Sequence, residues 1–255
     1  YFFILLNINY KREKRKEEYN MKNKITKSLL VILLSILCFS CEKEEFYSCN
    51  PKADQWVKDN LNEIRTMTRK EWINIDDVIY QKAAFTAFTT KQRHDLWVRK
   101  FDEILTLDLT EQEQSHLLLM NDVVKNSPQW FDDNSIEECR DQMDLFIYKW
   151  VEVAKDSLCW TDQDIYYFIG TPEGIKRDIN GRITKVTLMH STKELTPGEG
   201  YGNVCNCGTD SEYLLKCPGI AGYECKVTNE CTLSEKGCGA WWIDVCWGEC
   251  RKAKV

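Results

Sequence analysis

The sequence predicts a mainly α protein: a small helical bundle with one β-hairpin, followed by a small disulfide-rich C-terminal module. Three observations predict it. Apolar residues recur at helical spacing through residues 51–190, Asn180-Gly181 stands between two short β-prone runs, and eight cysteines crowd into the stretch from Cys205 to Cys250.

Within residues 51–190, Val57, Leu61, Ile64 and Met67 mark a helix after Pro51. Trp97, Val98, Phe101, Ile104 and Leu105 mark another over residues 91–106. Thr110 with Glu113 forms a capping box, and Leu117, Met120 and Val124 follow it along one face. Ser135 with Glu138 reads as a second box. Behind it Ile136, Cys139, Met143, Phe146, Trp150 and Val153 alternate steps of three and four. Thr161 caps a short helix carrying Ile165, Phe168 and Ile169 that stops before Pro172. Five or six helices with short polar connections make an antiparallel bundle the economical arrangement. Residues 175–179 and 182–188 flank Asn180-Gly181 as a type I′ hairpin, and residues 191–202, bearing Thr, Gly and Pro, read as an exposed linker open to proteases.

The C-terminal module, residues 203–255, holds Cys205, Cys207, Cys217, Cys225, Cys231, Cys238, Cys246 and Cys250. So short a segment buries too little apolar surface to offset its ordering entropy, so covalent staples are expected. A zinc cluster is the alternative, but the paired Cys-x-x-Cys knuckles usual for zinc are absent. Connectivity is not readable. Tyr213, Tyr223, Trp241, Trp242 and Trp247 are many rings for so small a scaffold, which predicts that Trp241, Trp242 and Trp247 form a contact surface. The competing expectation is that Trp242 and Trp247 wrap the disulfide core.

Disulfides need an oxidising compartment, and the other end of the chain is consistent with one. From Met21, the basic residues Lys22, Lys24 and Lys27 precede an apolar run over residues 28–37, followed by Ser40 and Cys41. Residues 21–40 resemble a lipoprotein signal of the Bacteroidota type, with Cys38 where Leu is usual; the resemblance implies lipid on Cys41. Glu42, Lys43, Glu44 and Glu45, within a tether over residues 41–50, are similar to the acidic signal that sends such lipoproteins to the outer face of the outer membrane. A simple cleaved secretion signal and an uncleaved anchor are the alternatives. Residues 1–20 read as upstream sequence ahead of a complete signal.

The chain carries 34 basic and 40 acidic residues, a net charge of −6. Removal of residues 1–40 takes eight basic and three acidic side chains, leaving 26 against 37, a net of −11. That balance argues against nucleic acid as a partner, because phosphate binding runs on clustered Lys and Arg. The module itself is near neutral, with six basic and seven acidic residues. Of thirteen cysteines, Cys49, Cys139 and Cys159 lie in the body, so an odd one stays unpaired or pairs between chains.

No catalytic constellation emerges, so no enzymatic activity, cofactor or metal is expected. His94 and His116 read as packing or surface residues, and His190 belongs to no ligand pair. Cys-His catalysis through Cys159 or Cys139 is formally open, with no recognisable signature around either. Asp76-Asp77 and Asp132-Asp133 read as loop or helix-start acids.

The Cys205-x-Cys207 opening, the Gly237-Cys238-Gly239 step followed by Trp241 and Trp242, and the closing Cys246-x-x-x-Cys250 resemble fulvocin C, an eight-cysteine bacteriocin. Bacteroidota lipoproteins with such a tail are described as fulvocin C-related. The resemblance covers about residues 203–251, and the closing cysteines are spaced more widely than in the short peptide. It implies antibacterial activity of a surface-anchored lipoprotein. The anchor would sit in the outer membrane, and the module would meet an envelope component of a neighbouring cell, by contact display or as a released C-terminal fragment. A non-toxic adhesion or ligand-binding lipoprotein is the alternative, and self-protection of the tail by the body is a third reading.

Overall fold

In the computed structural model, Met21 and residues 45–186, 207–208, 223–227 and 233–252 are described. The signal core, Cys41, the linker at 191–202, and Cys205, Cys217 and Cys231 lie outside them. The chain divides into Tyr1–Glu45 and Phe46–Val255. The second unit contains both the helices and the cysteine-bearing strands.

Eight α-helices occur among the described residues: α1 (Pro51–Asp59), α2 (Leu61–Ile64), α3 (Arg69–Ile73), α4 (Val78–Ala87), α5 (Thr90–Ile104), α6 (Glu111–Asn126), α7 (Ile136–Asp156) and α8 (Asp162–Ile165). Their starts follow from side-chain caps. Asn50 accepts hydrogen bonds from the backbone of Lys52 and Ala53 ahead of α1. Reciprocal capping boxes open four helices, at Thr68/Glu71, Thr89/Gln92, Thr110/Glu113 and Thr161/Asp164. The first predicted helix is two, broken at Asn60, whose side chain turns back to the carbonyl of Trp56.

Ser135 departs from its predicted role. It precedes α7 but makes no side-chain cap; its hydroxyl donates to Gln129 O and to Asp132 Oδ2 instead. The competitor is the preceding 3-10 turn Pro128–Phe131, which offers an acceptor before the helix can. α4 has no separate apolar stripe in sequence because it is covered on most of its sides: Gln81, Lys82, Ala83, Ala84, Phe85 and Ala87 are all buried. After α8 the chain continues as a π-turn, Tyr166–Gly170.

The hairpin is present, with a different turn. β1 (Ile175–Arg177) pairs antiparallel with β2 (Ile183–Lys185), with Ile175 opposite Lys185. A type I′ turn needs positive φ at both central residues; here only Gly181 has it, at 79°. Gly181 N donates to Asp178 O and Asp178 N to Arg182 O, so residues 179–181 form a three-residue loop with Gly181 at its left-handed position. Asp178 Oδ1 tips the balance by accepting from Asn180 N and Arg182 N.

The cysteine-bearing part adds two antiparallel pairs. β3 (Tyr223–Val227) pairs with β6 (Gly248–Lys252), and β4 (Ser234–Cys238) with β5 (Asp244–Cys246). β4 packs on α4, and a 3-10 turn at Ala240–Trp242 packs on the π-turn. One buried apolar cluster runs from Trp72, Phe85, Trp97 and Trp130 in the helices into Ala240, Trp241, Trp242 and Ile243. The turn between β4 and β5 therefore shares the core of the helical body, while Cys207, Cys225 and Cys250 form a cluster of their own.

Candidate docking site of the cysteine-rich module

Two disulfides join described cysteines, Cys207–Cys225 and Cys238–Cys246, and Cys250 is disulfide-bonded as well. In register Cys225 faces Cys250 across β3 and β6, yet Cys225 is bonded to Cys207. Cys238–Cys246 closes a loop over residues 239–245, and that loop carries the two tryptophans. Cross-linking so short a loop limits its unfolded freedom and holds the Trp-Trp turn in one shape.

The turn is built at a steric cost. Trp241 and Trp242 both take positive φ, 55° and 60°, and Gly239 before them has φ 70°. Bulky residues at positive φ are genuine outliers, each costing about 1–3 kcal/mol. The glycines allow the approach. At Gly237 (φ 110°) a Cβ would lie 2.8–2.9 Å from the Lys82 side chain, and at Gly239 it would fall 1.8 Å from Asp244 Oδ2. Gly239→Ala is therefore expected to lose about 2 kcal/mol or more in urea unfolding, through strain at positive φ and displacement of Asp244. Unchanged stability would contradict this geometry.

The rings enter the body. Trp241 is 0% exposed and stacks on Trp130, centroids 5.2 Å apart and planes 18° from parallel, with Phe131 at 6.1 Å. Trp242, 6% exposed, meets the edges of Trp72 at 5.5 Å and Phe85 at 5.8 Å. Its Nε1 donates to Gly170 O at 3.0 Å. That bond completes the π-turn: buried Lys100 donates to Tyr167 O and Thr171 O, while the module's indole takes the carbonyl of Gly170. Trp241 Nε1 is buried with no hydrogen-bond partner among the described residues, a further cost of about 1–3 kcal/mol.

These positions correct the expectation of a displayed aromatic face. Trp241 and Trp242 are core residues, and Trp242 wraps the helical body rather than the disulfides. A small scaffold cannot hide two indoles by itself, but the neighbouring bundle can. Trp247 is the exception, 38% exposed, at the end of the β3–β6 pair where Val227 is also exposed.

Two ion pairs of opposite polarity also join body and module. Arg140 of α7 meets Asp244 at 2.6 Å, and Lys236 of β4 meets Asp133 at 2.6 Å. Burial raises Asp133, but Arg93 and Lys236 outweigh it and hold the carboxyl below its usual range. Burial likewise pulls Arg140 down, while Asp244 and Glu137 more than restore it. Lys82 of α4 is buried beside the same turn, its Nζ 3.3 Å from Cys246 Sγ and 5.9 Å from the Trp242 ring centroid. Desolvation pushes this ammonium down to about 7.

No protein-family model matches the chain, and no curated protein or solved structure does. The site stands on its own geometry.

The remaining candidates fall outside it. His94 Nε2 contacts Val124 O and His116 stacks on Trp150 at 4.5 Å; burial lowers the His116 pKa, partly countered by its bond to Trp150 O. Cys139 Sγ lies 3.1 Å from the carbonyl of Ser135, the residue just before α7. The structure brings neither Cys139 nor Cys159 to a histidine contact among the described residues. Asp77 caps α4, as helix-start acids do. Among the described residues no group of three or more His, Cys, Asp or Glu could hold a metal ion, and no helix is long and apolar enough to cross a membrane.

Sequence reasoning missed Lys82, Arg140 and Gly170, and read Asp133 only as a loop or helix-start acid. One signal was readable: a lysine in the uncharged, Ala-rich run of residues 78–88 is unusual enough to question.

Proposed function

We propose that the chain is a surface-anchored, bacteriocin-like lipoprotein of the fulvocin C-related kind, whose helical body keeps the disulfide module in a docked, latent form. Undocked, the module acts on neighbouring bacteria. The observation that carries this reading is the burial of the Trp241–Trp242 turn in the body. The stretch Gly237-Cys238-Gly239 through Trp242, which bears part of the resemblance to fulvocin C, is the stretch the body covers. The docked state also buries the Lys82 ammonium and an indole N–H with no described partner, costs that docking adds and that favour a reversible contact over a maximally stable one.

In this reading lipid on Cys41 holds the body at the outer membrane. While body and module share one chain, the tether keeps the module at high effective concentration beside its groove; cutting within residues 191–202 removes that advantage. The freed module then presents Trp241 and Trp242 together with Trp247. Its near-neutral charge favours an envelope receptor over bulk lipid as target.

The test uses the full chain with a protease site placed in residues 191–202. Cleaved protein is expected to reduce the viability of neighbouring-type indicator cells, uncleaved protein to spare them, and reduction of the disulfides to abolish the effect. One observation favours the adhesion reading instead: Trp247 and Val227 remain exposed in the docked chain. Adhesion predicts saturable binding of uncleaved protein without loss of viability, lost in Trp247→Ala. Uncleaved protein that kills as well as cleaved protein would sink the latency account.

A further inference from the structure

We infer that the helical body is a receptor for the cysteine-rich module in trans, so that a body whose own module has left captures the Gly239–Trp242 turn of a second copy. The antibacterial reading rests on the proposed function; the capture itself does not.

The argument begins with what the groove becomes when vacated. Trp72, Phe85, Trp130 and Phe131, all buried in the docked chain, would lose the two indoles that cover them. Gly170 O would lose the donor from Trp242. An apolar patch of that size in water is unfavourable and favours an occupant. The occupant with matching shape is already seated there in cis. Every contact named across the site joins a body residue at 170 or below to a module residue at 236 or above, so none depends on the covalent path between them. An element held this way exchanges between copies at little cost, because each contact made in cis is remade in trans.

Charge decides the identity of the partner. The body contributes Asp133 and Arg140; the module contributes Lys236 and Asp244 to meet them. Because the two pairs have opposite polarity, a partner with the charges exchanged would set a cation against Arg140 and an anion against Asp133. Like-charge juxtaposition of that kind is unfavourable and rejects a partner of the wrong charge pattern. An unrelated aromatic peptide fills the pocket without satisfying both pairs. A producing cell that keeps the lipid-held body after release would thus carry a selective sink for free module at its own surface.

The test follows module exchange between cleaved full-length chains. Chains bearing a protease site in residues 191–202 are cleaved, and an isotopically heavy batch is mixed with a light one. Native mass spectrometry then counts heavy modules on light bodies. Equimolar, saturable exchange is expected. Arg140→Glu in the recipient body should weaken capture of the ordinary module on the order of a hundredfold, and Asp244→Lys in the donor should restore it. That rescue separates specific capture from a misfolded recipient. Two outcomes overturn the proposal: cleaved halves that part and never rejoin, and halves that stay locked without exchange. No cells are involved, so capture can succeed where killing fails and fail where killing succeeds.

Discussion

Trp241→Ala should lower the stability of the whole unit, helices included, by about 3–5 kcal/mol. The ring is fully enclosed, stacks on Trp130 and touches Phe131, so truncation leaves a large cavity between the bundle and β4–β5. Trp242→Ala should cost a similar amount, since it uncovers Trp72 and Phe85 and leaves Gly170 O without its donor. Trp247→Ala, at a partly exposed ring, should fall within about 0.5–1 kcal/mol of the parent. Denaturant unfolding followed by far-ultraviolet circular dichroism, dominated by the helices, makes the comparison. Loss of helical stability on changing a residue outside the helices is the signature of a shared core. If the three variants unfold alike, burial of Trp241 and Trp242 adds nothing to the stability of the helices, and the docking account fails.

The second large effect is a pH dependence centred on Lys82. Burial pushes its ammonium down to about 7, whereas an unfolded lysine keeps its proton to about 10.4. Between these values the unfolded chain binds more protons than the folded one, so stability rises with pH there. Below about 7 both states hold the proton and this contribution is at its least favourable. From pH 7 to pH 9 the gain from this group is on the order of 2 kcal/mol. Lys82→Met should flatten that rise and stabilise the protein at pH 7, because a thioether fills the space beside Cys246 and Trp242 without desolvating a charge. Urea midpoints of parent and variant across that range measure it; equal slopes would place the dependence on some other group.

Much of the helical architecture was legible because its signals are local. Glu113 lies three residues along from Thr110, and the run from Ile136 through Trp150 keeps its period over several turns, so neighbours in sequence suffice. α4 was not legible, since a helix buried on most sides has no stripe to detect. Ser135 failed as a cap because a 3-10 turn outside the capping pattern offered its hydroxyl another acceptor. The hairpin was right in place and wrong in turn type, because Asp178 recruits backbone amides that the Asn-Gly pair does not reveal.

The candidate site was legible only in part. The cysteine count pointed to staples, and Cys207–Cys225 and Cys238–Cys246 are disulfides. Trp241 and Trp242 are buried against the helices rather than within the module alone. Where they go is a tertiary fact: a sequence shows that rings need cover, not which surface covers them. Likewise the positive φ at two successive tryptophans runs against local preference, and only packing against Trp130 and Trp72 compensates it. Those places, where local rules are broken, coincide with the contact on which the proposed latency depends.

Hydroxyl-radical footprinting of the intact chain, read peptide by peptide in a mass spectrometer, tests the docking most directly. Trp241 and Trp242 should oxidise as slowly as the enclosed Trp72 and Trp97, while Trp247 oxidises readily. If Trp241 and Trp242 instead react as fast as Trp247, the module stands away from the body, and both the latent form and the receptor groove are contradicted.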